Sequence, residues 1–159
     1  MDAAKNPPAE SATDREIVST RSFAATREHM FAAFSDPGQL TQWWGPAGFT
    51  TTFQEFDFRP GGRWRLFLHG PDGSDYPNEK EFIEVLPPQR ISFRHIDRTH
   101  GFQMTLDHAQ RGDRTWVTWR MLFDSAAECA KIRDLVLAAN EQNFDRLETH
   151  LATLSSPKP

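Results

Sequence analysis

The residues of this chain able to do chemistry are scattered rather than grouped. Its six histidines, His29, His69, His95, His100, His108 and His150, never fall into an HxH or HExxH spacing. A tetrahedral metal site needs several such ligands converging from one face, so neither a metal nor a cofactor is expected. No Gly-x-Ser-x-Gly elbow is present to expose a nucleophilic serine. Gly61-Gly62 and Gly70/Gly73 lack a following Lys-Ser/Thr and read as hairpin turns rather than a phosphate loop. Cys129 is the single cysteine. It falls near a predicted helix start, where the dipole lowers a thiol pKa, but on an apolar stripe, where packing explains it.

Acid–base chemistry has two sources. His69 and His95 fall on predicted strands, where a pocket imidazole acts as acid or base and an ordinary strand histidine does nothing of the kind. Glu55, Asp57, Glu79, Glu81 and Glu84 also fall on strands. One buried among apolar groups would have a raised pKa and serve as a base. Alternation turns most of them outward, where Arg63 and Arg65 pair with them across strands.

The sharpest polar signal lies on a helix. Cys129, Ile132, Val136, Ala139, Asn143, Leu147, Leu151 and Leu154 form one stripe at steps of three and four, with Asn140 beside it. A buried amide left unpaired costs ~1–3 kcal/mol. Asn143 therefore needs a ligand, a water or a strand residue such as Gln103 or His95. On that reading Asn143→Leu weakens ligand binding and stabilises the fold.

The elements that must position these residues are legible from pattern. Asp14 to Phe23 reads as a strand. Thr26 caps a helix carrying Met30, Phe31 and Phe34. Asp36-Pro37 starts a second short helix with Leu40, Trp43 and Trp44, ending at Gly45-Pro46. Two adjacent tryptophans cannot both face one core from a helix, so one is assigned to a pocket mouth, a partner surface or the first strand. Strands follow over 49–58, 63–69, 79–86 and 90–96, then around Phe102, Met104 and Leu106, and over 115–123. Ser125 and Glu128 form a capping box for the long last helix. One strand, two short helices, six consecutive antiparallel strands and a long helix make an α+β fold, a curved sheet wrapped on the C-terminal helix.

Composition narrows the function classes. The 159 residues include 13 Phe, 5 Trp and 1 Tyr, against a total apolar content of 38%. Only Phe144 of the aromatics lies beyond residue 125. No apolar run approaches the roughly 18–20 residues of a membrane span. A net charge of −4 disfavours nucleic acid and anionic membranes. Residues 1–13, small, polar and Pro-containing, read as a disordered tail. Residues 14–154 read as one domain and 155–159 as a second tail. The N-terminus has no apolar leader segment, and one cysteine suits a reducing compartment, so a cytoplasmic location is expected.

Five segments together carry a resemblance. They are Phe31–Pro37 with Leu40 and Trp43-Trp44-Gly45-Pro46; Asp57-Phe58-Arg59-Pro60-Gly61-Gly62-Arg63-Trp64; Gly70-Pro71-Asp72-Gly73; Pro87-Pro88-Gln89-Arg90-Ile91; and Gln142-Asn143-Phe144-Asp145-Arg146-Leu147. In this order, over about residues 14–154, they resemble the family related to the C-terminal domain of the activator of the ninety-kilodalton heat-shock protein's ATPase. That family belongs to the START-like (SRPBCC, helix-grip) superfamily. The resemblance implies a cavity between sheet and long helix. It leaves function open among ligand carriers, cyclases or dehydratases using pocket polar groups, and stress-response chaperone cofactors. Many relatives have Gly-Trp where this chain has Ala139-Asn140, which leaves the expected pocket wider and more polar.

The expected ligand is a small apolar or aromatic molecule. Its expected wall is Trp44, Trp64, Leu66, Leu68, Phe93, Phe102, Met104 and Trp119, with Asn140 and Asn143 on the helix. The alternative is that these aromatics close the core at ordinary density. A homodimer is compatible with the sequence. A chaperone partner is the weaker expectation, since the activator it resembles uses an additional domain.

Overall fold

The computed structural model describes residues 14–97 and 100–155. The tail expected over 1–13, and the second tail apart from Ser155, lie outside the described residues. The elements in order are β1 (Glu16–Phe23), α1 (Arg27–Ser35), α2 (Pro37–Trp43), β2 (Thr50–Phe56), β3 (Arg63–His69), β4 (Asp75–Leu86), β5 (Arg90–His95), β6 (Phe102–Arg111), β7 (Arg114–Phe123) and α3 (Ala126–Ser155). The sheet is antiparallel with order β1-β7-β6-β5-β4-β3-β2. Sequential hairpins build β2 to β7, and the two short helices carry the chain from β1 at one edge to β2 at the other. The result is the expected α+β helix-grip fold, a curved sheet with a long C-terminal helix against it.

Local chemistry sets the helix ends. Thr26 accepts the His29 N–H at 3.2 Å, Asp36 the Gly38 N–H at 2.9 Å, and Ser125 the Glu128 N–H at 3.1 Å. Each satisfies a donor that the first turn leaves unpaired. Strand phase sets the two faces of the sheet. Trp64, Leu66, Phe82, Phe93, Met104, Leu106, Val117 and Trp119 point inward and are buried. Outside, Arg63 pairs with Glu79 and Glu81, Arg65 with Glu55, and Arg90 with Glu84 and Asp107. Such exposed pairs contribute about 0–1 kcal/mol each, so the inner face carries the stability.

Three expectations change. Trp43 and Trp44 are both buried. Helix α2 stops at Trp43, and Trp44 is extended at φ −70°, ψ 132°. The two side chains therefore leave the backbone in different directions. Trp43 Nε1 donates to Ala33 O at 3.1 Å between α1 and α2, while Trp44 lies on Trp64, ring centres 5.0 Å apart. Strand β4 begins at Asp75 rather than Glu79. Its first residues pair with β3 alone, since β5 joins only from Lys80. Pro77 thus lies where its missing N–H costs no second ladder. Leu154 is exposed, so the buried stripe of α3 ends at Leu151.

At the 57–62 turn only glycine fits at residue 62. A Cβ there would lie 2.0 Å from Asp57 O. The helix is held to the sheet by Phe144, whose ring meets Phe23 at 5.8 Å and Trp119 at 4.5 Å. Outside that contact, Arg21 of β1 bonds Glu141, Asp145 and Glu148 at 2.7–3.1 Å. Phe144→Ala should lower unfolding free energy by about 3–5 kcal/mol in urea titrations. A loss below ~1 kcal/mol would place the helix-to-sheet anchor elsewhere.

Candidate functional site

A sheet dense in aromatics faces a helix whose middle offers Val136, Ala139, Asn140 and Asn143. The space between them stays open as a cavity of about 240 Å³. A void of ~150 Å³ lined by apolar side chains holds benzene, so this one has room for a ring with short substituents. The structure brings together eight of the ten residues singled out from sequence. Trp44, Leu68, Phe93, Phe102, Met104, Trp119, Asn140 and Asn143 all line the cavity. Trp64 and Leu66 do not. Both are buried behind the wall, Trp64 against Trp44 and Phe93. Met121, Val136, Ala139, Gly45 and Pro46 complete the apolar lining.

Asn140 has a strand residue as its partner, of the class expected, while Asn143 has backbone partners that were not expected. Asn143 Nδ2 donates to Trp43 O at 2.7 Å, and its Oδ1 accepts from Gly45 N at 3.2 Å. Asn140 Nδ2 donates to Ser19 Oγ at 3.1 Å on β1. Asn143 is therefore a clamp on the loop after α2, not an amide waiting for a ligand. Arg146, one turn on, donates to the carbonyls of Gly45 at 2.9 Å and Pro46 at 3.1 Å, and Gln142 accepts from Ala47 N at 3.2 Å. Two of the sequence motifs thus meet in space: the 142–147 segment of α3 ties down the 43–47 loop that forms one rim of the cavity.

The principal polar group in the cavity was not singled out from sequence. Lys80 is 3% exposed and lines the wall. Its Nζ donates to Asn78 Oδ1 and lies 5.0, 5.7 and 6.0 Å from the ring centres of Trp64, Phe93 and Trp44. Among the described residues no carboxylate lines the cavity. Burial lowers the Lys80 pKa to about 7, because the charged amine has lost its water. Strand phase carried the signal. Lys80 lies opposite inward Trp64 and two residues before inward Phe82, on a strand whose Glu79 and Glu81 face out.

His95 pairs with Lys80 across β4 and β5, and also lines the wall. Burial, with Lys80's charge second, lowers its pKa to about 4, so it is neutral at pH 7. Its Nδ1 is buried without a hydrogen-bond partner, and its ring stacks on Phe102 at 4.8 Å. His69 lies away from the cavity, between Thr52 and Asp75. His108, also lowered to about 4 by burial, packs among Phe31 and Phe34 outside the cavity wall. Among the described residues no cluster of His, Cys, Asp or Glu could hold a metal, and no helix is long and apolar enough to cross a membrane.

Two stability predictions follow from these contacts. Asn143→Leu strips the Gly45 N–H of its acceptor and should cost about 1–3 kcal/mol, the reverse of the gain expected from sequence. Unchanged or raised stability in urea would mean that the clamp contributes nothing. For Lys80, the unfolded chain titrates near 10.5 and the folded chain near 7. Between those values the unfolded state holds more protons, so this group makes stability rise with pH across the window. Lys80→Met should flatten the rise and be the more stable protein at pH 7. Parallel profiles for the two proteins between pH 7 and 10 would refute the assignment.

Solved structures share this architecture. A solution structure of an Arthrobacter aurescens protein superposes with TM-score 0.82 at 21% identity, covering 89% of this chain and 88% of that one. The crystal structure of protein Ms6760 from Mycobacterium smegmatis gives 0.79 at 25% identity, with coverages of 90% and 94%. A Silicibacter pomeroyi protein described as AHSA1 gives 0.69 at 23% identity, with coverages of 87% and 98%. A search of curated proteins returns no match. Residues 24–152 match the family described as Activator of Hsp90 ATPase homolog 1-like protein, the one the motifs resemble.

Proposed function

This chain belongs to the Activator of Hsp90 ATPase homolog 1-like family, and from that premise we propose that it binds a small apolar or aromatic molecule between the sheet and α3, in the cytoplasm. The observation that carries this reading is the cavity itself. It persists in a core otherwise packed with aromatics, and its wall is mostly apolar with a few polar groups at defined points. That is the composition of a small-molecule site. Trp44, Leu68, Phe93, Phe102, Met104 and Trp119 supply the apolar contact in this reading, with Asn140 at the helical wall. Trp64 and Leu66 support the wall from behind.

A catalytic reading of the same site has one observation in its favour. An amine that burial holds near pKa 7 in the cavity wall has the proton affinity a general base needs at neutral pH. Carboxylate chemistry has no such support, since no Asp or Glu among the described residues lines the cavity. A chaperone-directed role rests on the family description. The large exposed apolar side chains Val18, Ile83 and Leu135 stand on β1, β4 and α3.

Native mass spectrometry of the purified protein should report a co-purified molecule below about 200 Da, the size such a cavity admits. Ala139→Phe, which puts a ring into the cavity from α3, should abolish that adduct while leaving the circular dichroism spectrum unchanged. An adduct retained at full occupancy in the variant would place the ligand elsewhere.

A further inference from the structure

Lys80 is a buried cation with too few partners. An ammonium has three N–H donors, and here one reaches Asn78 Oδ1. The faces of Trp64, Phe93 and Trp44 surround the charge, each within about 6 Å. Ring quadrupoles partly offset the lost hydration of a cation but supply no counter-charge. Among the described residues no carboxylate forms an ion pair with Lys80, and none lines the cavity to repel an incoming anion. Next to it, His95 is neutral at pH 7 with a buried, unpartnered Nδ1. One pole of the cavity therefore holds an uncompensated amine beside an unsatisfied imidazole. The rest of the wall is mostly apolar, from Leu68 and Phe102 to Met121 and Val136, with Asn140 and Asn143 on α3 already bonded to Ser19 and to the 43–45 backbone.

We propose that the ligand is a small aromatic or branched apolar carboxylic acid, bound with its carboxylate on Lys80 Nζ and its hydrocarbon body against Phe102, Met104 and Trp119. This rests on the cavity being the binding site, and adds the chemical class of what enters it. A neutral molecule would bring the amine no counter-charge. A carboxylate returns a charge-assisted hydrogen bond and a counter-charge in a low-dielectric site. A cationic ligand would meet Lys80 as a like charge. The volume of about 240 Å³ limits the acid to one ring or a short branched chain.

The acid also changes the protonation of the site. Free Lys80 titrates near 7, so at pH 8.5 most of it is neutral. Binding of a carboxylate raises its pKa, and a proton is taken up from buffer. His95, the other titratable group on the wall and Lys80's neighbour across β4 and β5, titrates near 4 and stays neutral over this range.

The test is calorimetry with 3-phenylpropanoate and its near-isosteric amide, 3-phenylpropanamide, on the full chain, Lys80→Met and Ala139→Phe. The acid should bind the unaltered protein about 10-fold or more tighter than the amide at pH 7, the ratio expected of one charge-assisted contact. Lys80→Met should lose that preference and keep the amide, which also shows that the variant is folded. At pH 8.5, enthalpies in buffers of different ionisation heat should report a net uptake of protons on binding the acid and none on binding the amide. Equal binding of acid and amide, both lost in Ala139→Phe, would overturn the acid preference and leave the cavity as the site. A preference for acid that survives in Lys80→Met would overturn the assignment to Lys80. Failure of both probes to bind at millimolar concentration would overturn the cavity reading and the acid preference with it.

Discussion

The structure depends on a mismatch of side-chain volume across one interface. The sheet presents Phe93, Met104 and Trp119 to a helix whose middle presents Val136, Ala139 and Asn140. Bulky groups on one side interdigitate with bulky groups on the other only where both exist. Phe144 provides that match against Phe23 and Trp119, and there the core closes. One turn toward the N-terminus of α3 the match is absent and the space stays open. Close packing is the default state of a protein interior, so an opening bounded by the chain's largest side chains reflects the residues chosen for the helix.

An opening of this kind has to be kept from collapsing, and polar contacts do that. The 43–47 loop enters the core with no ladder of its own and would leave backbone groups unpaired. Asn143 and Arg146 supply partners to Trp43 O, Gly45 N and Gly45 O, and Arg146 adds a second bond to Pro46 O, which also accepts the Phe49 N–H. The loop is thereby fixed as a rim, and Trp44 is turned onto Trp64 and Trp119. Polar residues on an apolar helical stripe are here the price of a shaped cavity, and their partners are backbone atoms about a hundred residues away in sequence.

Electrostatics then gives the cavity a direction. Outside the sheet, arginines and carboxylates alternate and cancel. Inside it, Lys80 has aromatic faces and one amide oxygen, and His95 beside it is held neutral. The same burial that makes the ammonium costly makes any compensating anion effective, since both effects arise from the removal of water. The cavity thus has a charged pole against β4 and β5 and an apolar side toward β6 and β7, with the amides of Asn140 and Asn143 on α3.

The amino-acid sequence by itself determined the elements and their order. Strand alternation, the Thr26, Asp36 and Ser125 caps and the Gly-containing turns are local signals. β3 is the clearest case: its bounds and its inward Trp64 and Leu66 were legible as read. Seven of the wall residues read from sequence lie on strands or on α3, where inward phase is a local property; Trp44 does not. Tertiary structure decided the rest. Whether Trp64 lines the cavity or lies behind it depends on Trp44, which left its helix at an angle that no periodicity encodes. The partner of Asn143 lies across a long-range contact, so its role as a clamp could not be read from the stripe. Lys80 was in phase with Trp64 and Phe82, yet a lysine between two glutamates reads as surface. Only the assembled sheet, closing aromatic rings over that position, removes its water and makes it the charged centre of the cavity.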